Sequence, residues 1–333
     1  MRRSCLFLFI LLGVTIFILA MSLKRCLFSR DAEEQAAALR GATTTQDRPA
    51  VAETPSRHGQ TVSAPQEAQA RASTQPPTAA IASHVPVGIE GLSLLLSRPL
   101  FLQGTRVQGL AVSERFIYVS SFDPADRSAS LFQVRRDKHV VAYVRNLAQD
   151  GKYELGGIDV GDRWLWAPLA DPGGSGSSLI LGIDPGDLEI RQKFPVEEYI
   201  RAVAQGENGH LYGLNDDSTM VFEWTAQGGE VRRTPNATGA RYQDMDVVRG
   251  SLVCTGADPN GGVIDILDPA SLTLLVRHRC HARTPNGHLI TSKGFAFAEG
   301  TFYFLPADGE FPMLMSYTLD DVTLADYVPS AGS

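Results

Sequence analysis

Polar side chains stand just before an apolar segment at five places along the chain. The set comprises Arg106, Gln108, Glu154, Arg201, Gln243, Asp244, Asn286 and His288. Two cations, two carboxylates and several amides that converge from separate segments would orient a small anionic or amide ligand. The same side chains would also cap strand ends and pair with one another in a hydrated channel, which requires no ligand. The residue types alone allow both interpretations.

The remaining motifs predict no catalytic residue, metal or cofactor. The Asn-Asp-Asp run at 215–217 offers oxygen ligands for a hard cation, but a turn after a strand has the same composition. The His and Cys residues at 278–288 do not match a standard zinc spacing. No Ser, His and Asp set can be assigned as a catalytic triad. Catalytic residues therefore stay unassigned at this point.

An apolar residue opens each of five segments at similar intervals. These opening residues are Leu110, Ile158, Val203, Met245 and Phe295, and the intervals are 48, 45, 42 and 50 residues. A second apolar run follows each opening, at intervals of 48, 46, 41 and 50 residues. Because the two series of intervals vary in parallel, they indicate a repeat. Each repeat unit is predicted to consist of four short strands joined by hairpins. In two units, an Asp-Pro turn ends the third strand, and the fourth is predicted to resume at Leu188 and Leu272.

Four-stranded units of roughly 40 to 50 residues predict an all-β fold, a five-bladed β-propeller of antiparallel blades over residues 86–333. A six-bladed ring, with residues 91–102 in a degenerate extra blade, and a β-sandwich are the alternatives. We favour five blades, with residues 92–96 added to the edge of the last blade so that they close the ring. The inner strands then line a central channel, and the polar set lies at its mouth.

The first two units contain three short motifs: Val107-Gln108-Gly109-Leu110, Ile117-Tyr118-Val119-Ser120-Ser121 and Leu155-Gly156-Gly157-Ile158. With these motifs the two units resemble the glutaminyl cyclotransferase-like five-bladed propellers. The last motif stands where the family has Gly-Glu-Gly-Ile, so the family's acid falls on Gly156. Glu154 lies two residues earlier, on the same face of a regular strand. Residues 100–325 also resemble uncharacterised secreted propellers with Gln-Gly, Gly-Gly-Ile and Tyr-Gln-Asp-Met openings, a similarity that implies the fold and no activity.

The N-terminal part of the chain differs in composition from the rest. Residues 4–23 contain no charge, and a helix of that length crosses the roughly 30 Å hydrocarbon layer of a membrane. Residues 1–30 are therefore predicted to be a signal anchor, with a cleaved secretory signal peptide as the alternative. Residues 31–85 are rich in Ala, Thr, Gln and Pro, which predicts a disordered linker. The propeller would be periplasmic or extracellular, and secreted if the leader is cleaved.

Charge and cysteine content narrow the classes of partner. Residues 86–333 carry 21 Lys and Arg against 31 Asp and Glu, a net charge of −10, which argues against nucleic acid. Cys254 and Cys280 could pair in an oxidising compartment or remain free thiols. We expect a monomeric propeller without a cofactor.

Two functional hypotheses follow from this sequence. The first is a non-enzymatic propeller that binds a small ligand or a protein partner at the channel mouth, with Gln108, Arg201 and Asp244 as the main contacts. The second is a channel-centred enzyme of glutaminyl cyclotransferase or lactonase type, with Glu154 or Asp244 as general base.

Overall fold

Twenty-one strands account for most of the part of the chain that the structure, a computed structural model, describes: residues 88–102, 106–173, 176–307 and 312–330. The strands are β1 (Leu92–Pro99), β2 (Arg106–Val112), β3 (Phe116–Asp123), β4 (Ser128–Arg135), β5 (Val141–Asn146), β6 (Glu154–Leu155), β7 (Asp159–Val160), β8 (Leu165–Ala170), β9 (Ser178–Ile183), β10 (Ile190–Val196), β11 (Ile200–Gln205), β12 (Leu211–Asn215), β13 (Met220–Trp224), β14 (Glu230–Pro235), β15 (Arg241–Val248), β16 (Ser251–Asp258), β17 (Gly261–Leu267), β18 (Leu274–Cys280), β19 (Gly294–Ala298), β20 (Thr301–Leu305) and β21 (Met313–Leu319). A 3-10 turn covers Ile290–Ser292, and a one-turn helix, α1, covers Leu324–Tyr327.

These strands form five antiparallel sheets, one for each predicted repeat unit. Blade 1 is β2–β5, blade 2 is β6–β10, blade 3 is β11–β14 and blade 4 is β15–β18. In blade 2 the inner strand is interrupted, so that β6 and β7 both pair with β8. The five opening residues all lie on the inner strands or, for Ile158, in this interruption, and each is at most 1% exposed.

The N-terminal strand closes the ring. Blade 5 consists of β19, β20 and β21, and its fourth, outermost strand is β1. This strand pairs antiparallel with β21, from Leu92 opposite Leu319 to Pro99 opposite Met313. The predicted closure by residues 92–96 is confirmed, and because these residues belong to blade 5, the ring has five blades rather than six.

Apolar clusters fill the space between each pair of neighbouring blades. The middle strands are buried on both faces, which explains continuous apolar runs such as Leu165–Ala170 in β8. Five separate clusters join blades 1 and 2, 2 and 3, 3 and 4, 4 and 5, and 5 and 1. Each contains residues from both sheets, for example Tyr118 and Leu165, Trp166 and Phe222, Leu214 and Leu252, Ile264 and Phe302, and Val119 and Leu314. Burial of this apolar surface between sheets stabilises the closed ring.

The two Asp-Pro turns have the same backbone structure. Leu188 and Leu272 each adopt φ of 57°, and their backbone N–H groups donate to the carbonyl oxygens of Asp184 (2.8 Å) and Asp268 (2.7 Å). Both leucine side chains are buried, which offsets the cost of the left-handed conformation. The fourth strands begin two residues later than predicted, because the leucines complete the turn instead of starting the strand.

Within the described ranges, no helix is long and apolar enough to cross a bilayer. The predicted signal anchor and linker, residues 1–85, lie outside those ranges.

Candidate functional site

The inner strands of blades 1, 3 and 4 carry a β-bulge at the same position. The extra residues are Gln108, Arg201 and Gln243, at which the pairing with the second strand shifts by one. Each lies two residues before the opening residue of its blade. A bulge re-aims a side chain and bends the strand. Three blades therefore present a polar side chain from equivalent positions at the end of the ring where the inner strands begin.

Lys293 holds the equivalent position in blade 5, two residues before Phe295. Its ammonium group donates a hydrogen bond to Oε1 of Gln108 at 2.7 Å, which joins blade 5 to blade 1. Lys293 is absent from the predicted set, which instead placed Asn286 and His288 at the mouth. The same two-residue offset that selects Gln108, Arg201 and Gln243 also selects Lys293, so the signal was present in the sequence.

Blade 2 has Gly156 at this position, and the backbone of blade 3 leaves no room for a side chain. A Cβ atom on Gly156 would overlap the carbonyl oxygen of Arg201. The next residue, Gly157, donates its backbone N–H to that same oxygen at 2.7 Å. The inner strands of blades 2 and 3 thus pair directly, which requires glycine. An acid at position 156 is excluded by this close approach.

Glu154 of blade 2 precedes this position by two residues. It sits on β6, opposite Ala170, and its carboxylate lies close enough to the Tyr199 hydroxyl to affect the pKa of that group. Burial raises the pKa of the Tyr199 hydroxyl, and the negative charge of Glu154 raises it further. The pair holds a neutral phenol against a carboxylate at the edge of the ring.

Arg201 connects blades 3 and 4. Its Nε donates to the backbone oxygen of Asp216 at 2.7 Å, and its Nη2 donates to the carboxylate of the same residue. A longer bond of 3.4 Å runs from Nη1 to Oε1 of Gln243. Asp216, part of the Asn-Asp-Asp run, therefore acts as an ion-pair partner at this end of the ring.

We call Gln108, Glu154, Arg201, Gln243 and Lys293 the mouth cluster. Burial is the main cause that lowers the pKa of Lys293 to about 8; the charges of Arg201, Arg241 and Arg106 act in the same direction, and that of Glu154 opposes them. Three arginines therefore act on the ammonium group, against the carboxylates of Glu154 and of Asp216, which pairs with Arg201. The cleft between Gln108, Glu154, Tyr199 and Arg201 is narrow, with no room for a water molecule between its walls, so a ligand would sit over the cluster.

Asp244 lies inside the ring and not at the mouth. It is fully buried, and its carboxylate accepts three backbone N–H bonds: from Leu110 at 3.2 Å, Phe295 at 2.9 Å and Met245 at 3.0 Å. A Cβ on Gly157 would overlap its Oδ1. Asp244 thus fills the space between the inner strands of blades 1, 2, 4 and 5. Burial raises its pKa well above the usual range.

The other three predicted residues form none of the hydrogen bonds described above for the mouth cluster. Arg106 is exposed at the start of β2, with its guanidinium 5.9 Å from the centre of the Phe122 ring. Asn286 and His288 are exposed in a turn after β18. The hydrogen bonds described for this turn are internal, such as that from Thr284 N to His288 O at 2.8 Å.

Two carboxylates, buried Asp159 and half-buried Asp246, lie further along the inner strands, where sequence patterns gave no indication of them. Asp159 and Asp246 each follow an opening residue directly and accept the backbone N–H groups of Gln205 (2.8 Å) and Phe297 (2.7 Å). Both line a cavity of about 230 Å³. Burial raises the pKa of Asp159 to about 6, and burial together with the charge of Asp159 raises that of Asp246.

Metal ligation and thiol chemistry find little support in the described part of the chain. No group of three or more His, Cys, Asp or Glu residues there is arranged to hold a metal ion. Cys254 and Cys280 are buried free thiols and not a disulfide. Burial raises the pKa of Cys254 well above its usual range and that of Cys280 to about 12, so neither is activated as a thiolate.

Comparison with known proteins gives similarity at the level of the fold. No protein-family model matches the sequence, and no curated protein matches it. Among solved structures, Myxococcus xanthus glutaminyl cyclase aligns with a TM-score of 0.52 and 14% identity, over 70% of this chain and 97% of that chain. Virginiamycin B lyase from Staphylococcus aureus aligns with a TM-score of 0.40 and 14% identity, over 69% and 100%. BamB from Moraxella catarrhalis aligns with a TM-score of 0.39 and 11% identity, over 70% and 99%. The chain is a five-bladed β-propeller whose structural neighbours include a glutaminyl cyclase and other propeller proteins.

Proposed function

We propose that this propeller binds a small ligand over the mouth cluster. The observation that supports the proposal is that four blades place Gln108, Arg201, Gln243 and Lys293 at one equivalent position, where they form bonds from blade to blade. Polar groups from separate elements that meet at one end of a ring are typical of small-molecule sites. Arg106 and Arg241 add exposed cations near the same end.

Binding without catalysis is the function that we favour. The position at which the resembled family carries its acid is Gly156, where the backbone of Arg201 excludes any side chain. Asp244 is not available as a general base, because it is fully buried and already accepts three backbone N–H groups. Glu154 remains the candidate base of the alternative, an enzyme of cyclotransferase or lactonase type, and its carboxylate lies near the Tyr199 hydroxyl.

The proposal includes a location outside the cytoplasm. It rests on the uncharged stretch at residues 4–23 and on the polar composition of residues 31–85. A propeller on such a tether would meet its ligand, or a protein partner that presents similar groups, on the far side of the membrane.

A thermal-shift screen of small anions, amides and amino acids on the full-length protein in detergent tests this function. A ligand of the mouth should raise the midpoint for the wild type, and the rise should disappear in Gln108→Leu and Arg201→Gln. Gln227→Leu, in an exposed turn of blade 3, is the matched control and should keep the rise. Ligand turnover that is lost in Glu154→Gln would favour the enzyme, and shifts that are equal in all variants would refute a site at the mouth.

A further inference from the structure

We propose that the ligand of the mouth cluster is a small oxyanion, a carboxylate or a phosphate, held between the ammonium group of Lys293 and the guanidinium of Arg201. This inference rests on the proposed function and adds the chemical class of the ligand. It also predicts that Lys293 takes up a proton when the oxyanion binds.

The hydrogen bonds of the mouth cluster leave mainly donors to meet a ligand. The Oε1 atoms of Gln108 and Gln243 accept from Lys293 and Arg201, so each amide turns its acceptor towards a cation and keeps its NH₂ group as a donor. An ammonium group carries three donors, of which the bond to Gln108 uses one. A ligand that matches this set must supply acceptors, and an oxyanion supplies several on one centre.

The charges around Lys293 favour the same class of ligand. Arg201, Arg241 and Arg106 all act on its ammonium group, and Glu154 opposes them. Asp216, the ion-pair partner of Arg201, offsets part of this positive charge, which leaves more cations than carboxylates among these groups. This local excess of cations contrasts with the net charge of −10 on residues 86–333. An isolated ammonium group among cations is disfavoured, and a bound anion would reverse that effect. A cationic ligand would increase the repulsion.

The altered acidity of Lys293 makes the proposal measurable. Because its pKa lies at about 8, a large share of this side chain is neutral at pH 8.5 and almost none at pH 6.5. An anion that prefers the charged form must draw a proton onto Lys293 at the higher pH. For succinate, which is almost fully ionised at both pH values, we expect uptake of roughly half a proton per bound anion at pH 8.5 and close to none at pH 6.5. Phosphate itself titrates near neutral pH, so proton uptake on phosphate binding is counted at pH 8.5 alone.

Isothermal titration calorimetry of the full-length protein in detergent provides the test. Succinate, inorganic phosphate and the dication putrescine are titrated at both pH values, in buffers with different ionisation enthalpies, so that proton uptake can be counted. Lys293→Gln should weaken oxyanion binding by roughly tenfold or more, since it removes a charge-assisted bond. Lys293→Arg should retain binding but lose the uptake, because arginine does not titrate in this range.

Lys193→Gln is the matched control, because Lys193 also donates to a glutamine, Gln149, at 2.6 Å, but on an outer strand. It should change neither affinity nor uptake. Binding of succinate alone would identify a carboxylate site, and binding of phosphate alone a phosphate site. Equal oxyanion binding in Lys293→Gln, or binding without proton uptake at pH 8.5, would overturn the inference. If a neutral or cationic compound bound in a Gln108-dependent manner while both oxyanions did not, the proposed function would stand and this inference would fail.

Discussion

The carboxylate of Asp244 accepts the backbone N–H of Phe295 at 2.9 Å, although these residues belong to different blades. Further bonds from Leu110 and Met245 make this one side chain a link between three inner strands. The inner strands of blades 1 and 2 approach each other closely beside this carboxylate, since a Cβ on Gly109 would lie 2.5 Å from Cα of Gly157. The centre of the ring is thus held by one buried acid among glycines, below the mouth cluster.

Asp244→Ala should destabilise the fold strongly. The substitution leaves three buried N–H groups without their acceptor, and we expect a loss of about 3 kcal/mol or more in the free energy of unfolding. Urea denaturation, monitored by tryptophan fluorescence, measures this loss of stability. Asp217→Ala, in an exposed turn, should cost less than about 1 kcal/mol. Similar losses in the two variants would show that Asp244 does not link the blades.

Asp159 should make stability depend on pH in a defined direction. Its pKa of about 6 when folded exceeds the ordinary value, so its contribution is present below about pH 4 and is lost as the pH rises through 6. Asp159→Asn cannot titrate. We therefore compare the free energy of unfolding at pH 7.5 minus that at pH 4.5. This difference should be about 1–2 kcal/mol more positive in the variant than in the wild type. Asp162→Asn, on an exposed residue of the same cavity, should leave the difference unchanged; an equal change in both variants would contradict the assignment.

Gly156→Ala should be far more damaging than its size implies. The added methyl group meets the backbone of Arg201, which cannot move without breaking the contact between blades 2 and 3, and we expect a cost of about 2–4 kcal/mol. Gly88→Ala is the control, because its Cβ would lie 4.0 Å from the nearest atom, the carbonyl oxygen of Leu92. Thermal denaturation of both variants distinguishes them. A stable Gly156→Ala protein would reopen position 156 to an acid and favour the enzymatic alternative.

Strand β1 should be required for a closed ring. Leu92 is buried in the cluster between blades 4 and 5, although it comes from the first described strand. Leu92→Asp should therefore cost about 3 kcal/mol or more. Leu95→Asp, on an exposed residue of the same strand, should be nearly neutral. Chemical denaturation gives both values, and a neutral Leu92→Asp would mean that the ring does not depend on β1.

The repeat, the number of blades and the closing strand follow from sequence because apolar residues recur at matched positions, as Leu110 and Phe295 do. Three features of the centre do not follow so directly. Asp244 is one residue beyond Gln243, and in a strand that single step turns a side chain to the other face. The bulge at Gln243 cannot be read from residue type. The buried position of Asp159 could not be predicted, because the break between β6 and β7 interrupts the regular alternation of side chains along the inner strand.

The most direct test of the mouth cluster as an oxyanion site is the titration of the Lys293 side chain by NMR, in protein labelled at lysine and assigned with Lys293→Arg. Without ligand, the midpoint should lie at about pH 8. With saturating succinate or phosphate it should move to about pH 9 or higher, because a bound anion stabilises the ammonium form. A midpoint that stays the same with and without both oxyanions would contradict the account.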